Sequence, residues 1–262
     1  MNYGFHLSTA GVITGMRRLD VLANNLANAS TVGFKADVLS TKARLPENLE
    51  RPGGFADVNA ALDALGGGTL FHPNAIDASQ GQLRRTEAPL DVAIEGEGFL
   101  VLERPKDAGG APTRDVLVTR AGALARSPEG RLVLATSGAA VLSTEGLPID
   151  LDDDAADVRI DRDGRVIQSG EEVARLAVVV PEDRADLRKE GRDAMRVVGG
   201  RTRPAPEATS VAQGWLEEST VDPIAALADL VRVSRGIEFS TRLMQQQDQM
   251  TGRLIDTFGR FA

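Results

Sequence analysis

The sequence predicts an α+β protein in which long N- and C-terminal helices form a coiled-coil module and an antiparallel, mainly-β central domain is inserted between them. Three observations carry this expectation. Apolar residues repeat at helical spacing at both ends of the chain, the middle breaks into short β-rich runs separated by turn residues, and two stretches rich in Pro, Gly and small polar residues lie between these regions.

The first helix follows from Phe5, Thr9, Val12, Met16, Leu19, Ala23 and Leu26, which alternate steps of four and three as the seam of a packing helix does. Breaker residues Ser30, Thr31 and Gly33 predict its end near Asn28. Asn24, Asn25 and Asn28 fall on this helix. Asparagine is a middling helix former because its amide competes for backbone hydrogen bonds, so these amides need partners, either solvent at an ordinary helix end or a neighbouring subunit.

The central runs are Asp91 to Ile94, Phe99 to Leu102, Val116 to Val118, Arg131 to Leu134, Val158 to Ile160, Arg165 to Ile167 and Leu176 to Val180. Between them stand Ser127-Pro128-Glu129-Gly130, Ser137-Gly138, Thr144-Glu145-Gly146 and Arg162-Asp163-Gly164, which is turn chemistry. Asp222 before Pro223 then reads as an N-cap followed by proline at the first helical position. From there Leu230, Ile237, Met244, Thr251 and Phe258 recur every seventh residue, flanked by Leu227, Val233, Leu254 and Phe261. At 1.5 Å per residue this helix reaches about 60 Å. The expected organisation is a helical module of residues 1–35 and 222–262, connectors 36–88 and 199–221, and a central β domain 89–198.

Composition narrows the chemistry. Among 262 residues, 38 are acidic and 30 basic, for a net charge of -8, and no Lys/Arg block supplies the footprint that neutralises phosphates. Nucleic acid is therefore not an expected partner. The chain has no cysteine, which removes disulfides, thiolate catalysis and Cys-ligated metal. No apolar run nears the roughly 20 residues that span a bilayer, and Arg17, Arg18, Asn24, Asn25 and Asn28 interrupt any signal-peptide pattern over residues 1–28.

Candidate chemical sites give way on inspection. The cluster Asp150, Asp152, Asp153, Asp154 and Asp157 with Asp161-Arg162-Asp163-Gly164 invites a calcium loop. With Gly164 as the sixth loop position, however, the first is Arg159 and the twelfth Gly170, so two required ligands are missing. Glu95-Gly96-Glu97-Gly98 lacks the third glycine and the following helix of a dinucleotide loop. His6 and His72, the only imidazoles, have no carboxylate or nucleophile at a known catalytic spacing. No catalytic residue, cofactor or metal is expected.

The segment Leu22-Ala23-Asn24-Asn25-Leu26-Ala27-Asn28-Ala29-Ser30-Thr31-Val32-Gly33-Phe34-Lys35 resembles the N-terminal signature of bacterial flagellar rod and hook proteins. The resemblance continues through Pro89-Leu90-Asp91-Val92-Ala93-Ile94-Glu95-Gly96-Glu97-Gly98-Phe99, Thr119-Arg120-Ala121-Gly122, Gly130-Arg131-Leu132-Val133, Ile160-Asp161-Arg162-Asp163-Gly164 and Gly214-Trp215-Leu216-Glu217-Glu218-Ser219, in the family's order. It covers nearly the whole chain. It implies a non-enzymatic structural subunit of the flagellar basal-body rod that polymerises through its terminal helices. Within the family the length excludes the longer hook subunits, and the Leu230 to Gln249 helix looks more like the proximal-rod type than the distal-rod type, which stays as the alternative.

The implied partners are other copies of the chain, other rod proteins and the flagellar export apparatus, with neither nucleic acid nor membrane insertion. The implied location is the periplasm-spanning rod, reached without a cleaved signal peptide. Residues expected to serve assembly are Leu19, Leu22, Asn24, Asn25, Leu26, Asn28, Gly33, Phe34, Leu230, Ile237, Met244, Leu254 and Phe258. A non-flagellar β-domain binding module is the rival reading, distinguished by a stable monomer indifferent to loss of the last helix.

Overall fold

The computed structural model describes residues 3–43, 69–71, 74–104, 115–152 and 158–258. Among these are two α-helices, α1 (Tyr3–Ala27) and α2 (Pro223–Phe258), and nineteen short strands. The chain divides into two compact units. One comprises Met1–Leu26, Asp37–Ala75 and Pro223–Ala262, and the other Ala27–Ala36 with Ile76–Asp222.

The second unit is built on a six-stranded antiparallel sheet. Its strands lie in the order Leu187–Glu190, Ala194–Val197, Val116–Thr119, Phe99–Leu102, Val178–Pro181 and Thr202–Pro204. Side chains of a strand alternate between its two faces, and both faces here are apolar. Leu100, Leu102 and Leu117 enter a core shared with Leu132, Leu134, Val141, Ile149, Val158 and Val166. Phe99 and Val118, one position out of phase, join Leu187, Met195 and Val197 in a second cluster on the opposite face. Each such buried side chain contributes about 1.5–3 kcal/mol relative to exposure, which is why the unit needs no disulfide. The outer strands are blunted by Pro204 at one edge and by Arg188, Lys189 and Glu190 at the other.

Smaller ribbons complete this unit. Leu124–Arg126 pairs with Leu132–Leu134 across Ser127-Pro128-Glu129-Gly130, where Gly130 takes φ 87°. Val158–Ile160, Arg165–Gln168 and Glu171–Arg175 form a three-stranded meander. Val92–Glu95 pairs with Ser210–Gln213, and Leu83–Arg85 with Trp215–Glu217, so the beginning and end of the unit are stitched together.

The expected fold class needs correction. Among the described residues the elements are mainly strands, with one helix at each end, and the two helices do not form a coiled coil. A coiled coil buries its seam as knobs in holes. Here Phe5 and Met16 are exposed on α1, as are Leu227 and Leu254 on α2. Among the described residues, Ala226 is the only hydrophobic side chain of either helix that is buried. Two predicted seam positions are threonines whose hydroxyls turn back onto their own helix, Thr9 to the Phe5 carbonyl and Thr251 to the Gln247 carbonyl.

The helices approach instead through glycine. A Cβ on Gly15 would stand 2.6 Å from Ile237 Cγ1, one on Gly4 would stand 2.7 Å from Gln247 Nε2, and one on Gly11 would stand 3.4 Å from Ser240 Oγ. The rising number on α1 meets a falling number on α2, so the helices run antiparallel. The heptad repeat in the sequence is real, but residues without side chains carry the approach.

Candidate assembly site

The first unit offers two kinds of helix surface. Leu19, Leu22 and Leu26 of α1 and Leu230, Ile237 and Met244 of α2 are half-buried, and Ile237 is the residue that Gly15 admits. Phe5, Leu7, Ile13 and Met16 on α1 and Ile224, Leu227, Val231, Phe239, Met250 and Leu254 on α2 are exposed, with Phe239 at 65% and Ile224 at 79%. Single exposed apolar residues are ordinary on a protein surface, whereas two helices that each present several are a candidate contact surface. Phe258 closes α2, and its side chain lies outside the described residues.

The three asparagines have separate fates. Asn25 is buried, and its amide donates to the Asp37 carbonyl at 2.8 Å while its oxygen accepts from the Asp37 N–H at 2.9 Å. That two-bond clasp holds the chain as it returns past the end of α1. Asn28 is buried as well, and its side-chain oxygen accepts from the Thr31 hydroxyl at 3.3 Å. Asn24 is exposed and lines a polar hollow of about 290 Å³ with Arg17, Asp20, Asp37 and Asn74. The structure therefore spends two of the three amides inside the chain.

Gly33 and Phe34 are likewise buried. Gly33 takes φ 67°, and a Cβ there would lie 2.3 Å from the Ala121 nitrogen, so only glycine fits. The Phe34 ring packs under the Lys189 ammonium at 3.7 Å.

Beside them lies a buried cluster of charge to which the sequence motifs assign no role. Lys35 Nζ stands 2.5 Å from Glu217 Oε1, and Arg120 Nη1 stands 2.9 Å from Glu217 Oε2. The side chains of Lys35 and Glu217 are fully withdrawn from solvent and that of Arg120 nearly so. Lys35 also donates to the Ser79 carbonyl, Gly81 N–H donates to Glu217 Oε1 at 2.8 Å, and Arg120 donates to the carbonyls of Ile94 and Gly96. Arg120 also lies over the Phe99 ring at 5.1 Å.

Burial pulls the Lys35 ammonium below its ordinary pKa, the Glu217 hydrogen bond and charge raise it, and the positive charge of Arg120 adds to the lowering. The sequence does carry a signal for this cluster. Lys35 sits between Phe34 and Ala36, a charge among apolar neighbours, whereas Glu217 stands between Leu216 and Glu218 and carries no such mark.

Elsewhere the surface chemistry is plain. Asp161 is paired with Arg159 and Arg165, and Asp163 with Arg165, in the turn that resembles a calcium-loop fragment. Among the described residues no group of three or more His, Asp or Glu could hold a metal, and no helix is long and apolar enough to cross a membrane. Asp153, Asp154, Asp157 and His72 lie outside the described residues, as does the side chain of His6.

Comparison with known proteins agrees with this geometry at both ends and in the middle. Residues 11–35 match the profile described as "Flagella basal body rod protein", residues 93–168 that of "Flagellar hook protein FlgE/F/G D1 domain", and residues 212–257 that of "Flagellar basal body rod FlgEFG protein C-terminal". The profiles and the relatives below support a flagellar basal-body rod protein, and that family is structural.

It is 29% identical to the flagellar basal-body rod protein FlgF of Caulobacter vibrioides over 99% of both chains. It is 26% identical to the flagellar hook-basal body complex protein FlhO of Bacillus subtilis over 98% of both. With the rod protein FlgG of Agrobacterium fabrum it shares 27% identity over 93% of this chain and 95% of that one. Its function is that of a structural subunit of the flagellar rod, associated with other proteins of the basal body.

Proposed function

We propose that this subunit occupies the proximal rod and polymerises there through the helical module of residues 1–35 and 222–262, with residues 89–198 as its body and 36–88 and 199–221 as connectors. The single observation that carries the position is the end-to-end alignment with FlgF, the proximal-rod type, at 29% identity over 99% of both chains. The polymerisation surface is supported by the exposed apolar residues on both helices, above all Phe239 and Ile224.

In this reading copies of the chain and other rod subunits cover those residues. A contact that joins two different patches repeats without closing and so builds an open helical assembly. The rod then transmits torque as a stiff shaft, because packed helices resist shear. Delivery by the flagellar export apparatus to the periplasm-spanning rod is part of the same proposal and rests on family membership.

The test is a chromosomal deletion complemented by an epitope-tagged copy. The expected outcome is a strain that lacks rods and hooks without the gene, and tagged protein in basal bodies isolated with it. A proximal position further requires tagged protein in the partial basal bodies of a strain lacking the distal-rod subunit. Intact rods in the deletion strain would refute the function, and absence from those partial basal bodies would refute the position.

A further inference from the structure

One carboxylate ties three separate stretches of the second unit to its own strand. Glu217 Oε1 accepts from Lys35 and from the Gly81 N–H, and Oε2 accepts from Arg120. The Glu217 carbonyl accepts from the Gly33 N–H at 2.8 Å. Around it, Thr220 N–H donates to the Phe34 carbonyl at 3.1 Å, Ala36 N–H donates to Thr220 Oγ1 at 2.9 Å, and Glu218 N–H donates to the Gln82 carbonyl at 2.8 Å. Residues 33–36 are the chain that follows α1, and residues 217–220 are the chain that precedes α2.

No member of this cluster is well placed without the others. An ammonium buried without its carboxylate keeps the full cost of desolvation while losing the attraction that offsets it, and a carboxylate with one of its two cations gone loses part of that attraction. A species with only the Lys35 end docked holds two cations and no carboxylate, and one with only the Glu217 end docked keeps Arg120 but leaves Glu217 Oε1 with the Gly81 N–H alone, whereas the species with both docked satisfies every partner. The surrounding backbone bonds reinforce this, because the Gly33, Ala36 and Thr220 bonds each have one partner on either end.

We propose that Lys35, Glu217 and Arg120 form a latch that makes docking of the two chain ends a single all-or-none event, so that Gly33, Phe34 and Lys35 act within their own subunit and not on a neighbour. The segment after α1 and the segment before α2 become fixed together, and a chain in which either end is displaced holds neither. The latch stands on contacts within one chain and does not depend on rod position or on the assembly surface.

Hydrogen exchange read by mass spectrometry on the purified full-length chain, at a concentration where it is monomeric, tests this. In the unmodified protein, peptides covering residues 31–36, 79–82 and 217–220 are expected to share one protection factor and one urea dependence, as members of one cooperative unit do. In Lys35→Met, exchange in 79–82 and 217–220 is expected to rise by about 100-fold or more together with 31–36, the scale of breaking a buried ion pair. Residues 99–102 and 116–119 keep a higher protection in both proteins. Loosening of 31–36 alone in the variant overturns the latch. If Lys35→Met does not fold, the unmodified protein decides: unrelated protection factors in the three peptides overturn it, and a shared one upholds it.

Discussion

Lys35 and Glu217 lie 182 positions apart in the chain and 2.5 Å apart in space, and both side chains are sealed from water. Buried ion pairs are poor sources of net stability but severe liabilities when half removed, because the surviving charge has no solvent. Lys35→Met leaves Arg120 facing the carboxylate but Glu217 Oε1 with the Gly81 N–H alone, and should cost about 3 kcal/mol, the low end for a broken buried pair, in urea-induced unfolding of the full chain. Replacing the cluster with apolar residues of similar size, Lys35→Met with Arg120→Met and Glu217→Leu, should cost far less than the sum of the single changes. Additive losses would mean that the three charges do not act as a unit.

The lowered Lys35 pKa gives a pH signature. Between the folded-state value and the ordinary 10.5, the unfolded chain binds more protons at this site than the folded chain does, so the Lys35 contribution to stability rises with pH across that window. Below the window both states are protonated, and the contribution is flat. The difference in unfolding free energy between the unmodified protein and Lys35→Met, followed by denaturant titration from neutral pH to 10.5, should turn upward in that window. A difference independent of pH would place the ammonium in a solvated environment.

Gly33→Ala should be among the most damaging single-methyl changes in the chain. The positive φ costs about 1–2 kcal/mol for any residue with a Cβ. The new methyl would also meet backbone atoms of Arg120 and Ala121 at 2.3–2.6 Å, where nothing can turn aside. Gly138 has nearly the same φ but nothing within 4 Å, so Gly138→Ala should show the conformational cost alone. Thermal unfolding of the two variants side by side checks this, with Gly33→Ala melting well below Gly138→Ala.

On α1, neighbouring glycines should answer oppositely to alanine. Gly11→Ala has ordinary van der Waals room beside Ser240 and gains the helix propensity of alanine, about 1 kcal/mol. Gly15→Ala drives its methyl to 2.6 Å from Ile237 Cγ1 and must push the helices apart or strain the isoleucine. Helical circular dichroism followed on heating should rise in midpoint for Gly11→Ala and fall for Gly15→Ala. Equal behaviour would mean that α1 and α2 do not meet at these positions.

How far the sequence could be read follows from the range of each interaction. The α1 boundaries and the Pro223 start of α2 were legible because caps, breakers and helical periodicity are local. The strand Phe99–Leu102 was legible because it follows the turn at Gly96 and Gly98, although its four consecutive apolar residues hid that it faces two cores. The coiled coil misled because a repeat such as Leu230, Ile237, Met244 and Thr251 reads as a seam whether or not those residues are buried. The alternative, close approach at Gly4, Gly11 and Gly15, has no hydrophobic signature at all. The buried cluster escaped because charge is read as surface by default, and because Lys35, Arg120 and Glu217 come from three distant segments. Asn25 and Asn28 need partners for their amides, and those partners, Asp37 and Thr31, lie within the chain.

The central claim is that exposed apolar residues on the terminal helices join this subunit to its neighbours in the rod, and the most direct measurement of it is complementation with Phe239→Asp. Phe239 is 65% exposed, so the substitution should change the stability of the isolated subunit by no more than about 0.5 kcal/mol, like other surface changes. In the rod it would place a carboxylate in a covered apolar contact. The account predicts a strain that produces normal amounts of folded subunit, does not swim and yields basal bodies without rods, while Glu129→Lys, in an exposed turn of the second unit, restores both. Normal swimming and normal rods with Phe239→Asp would contradict it.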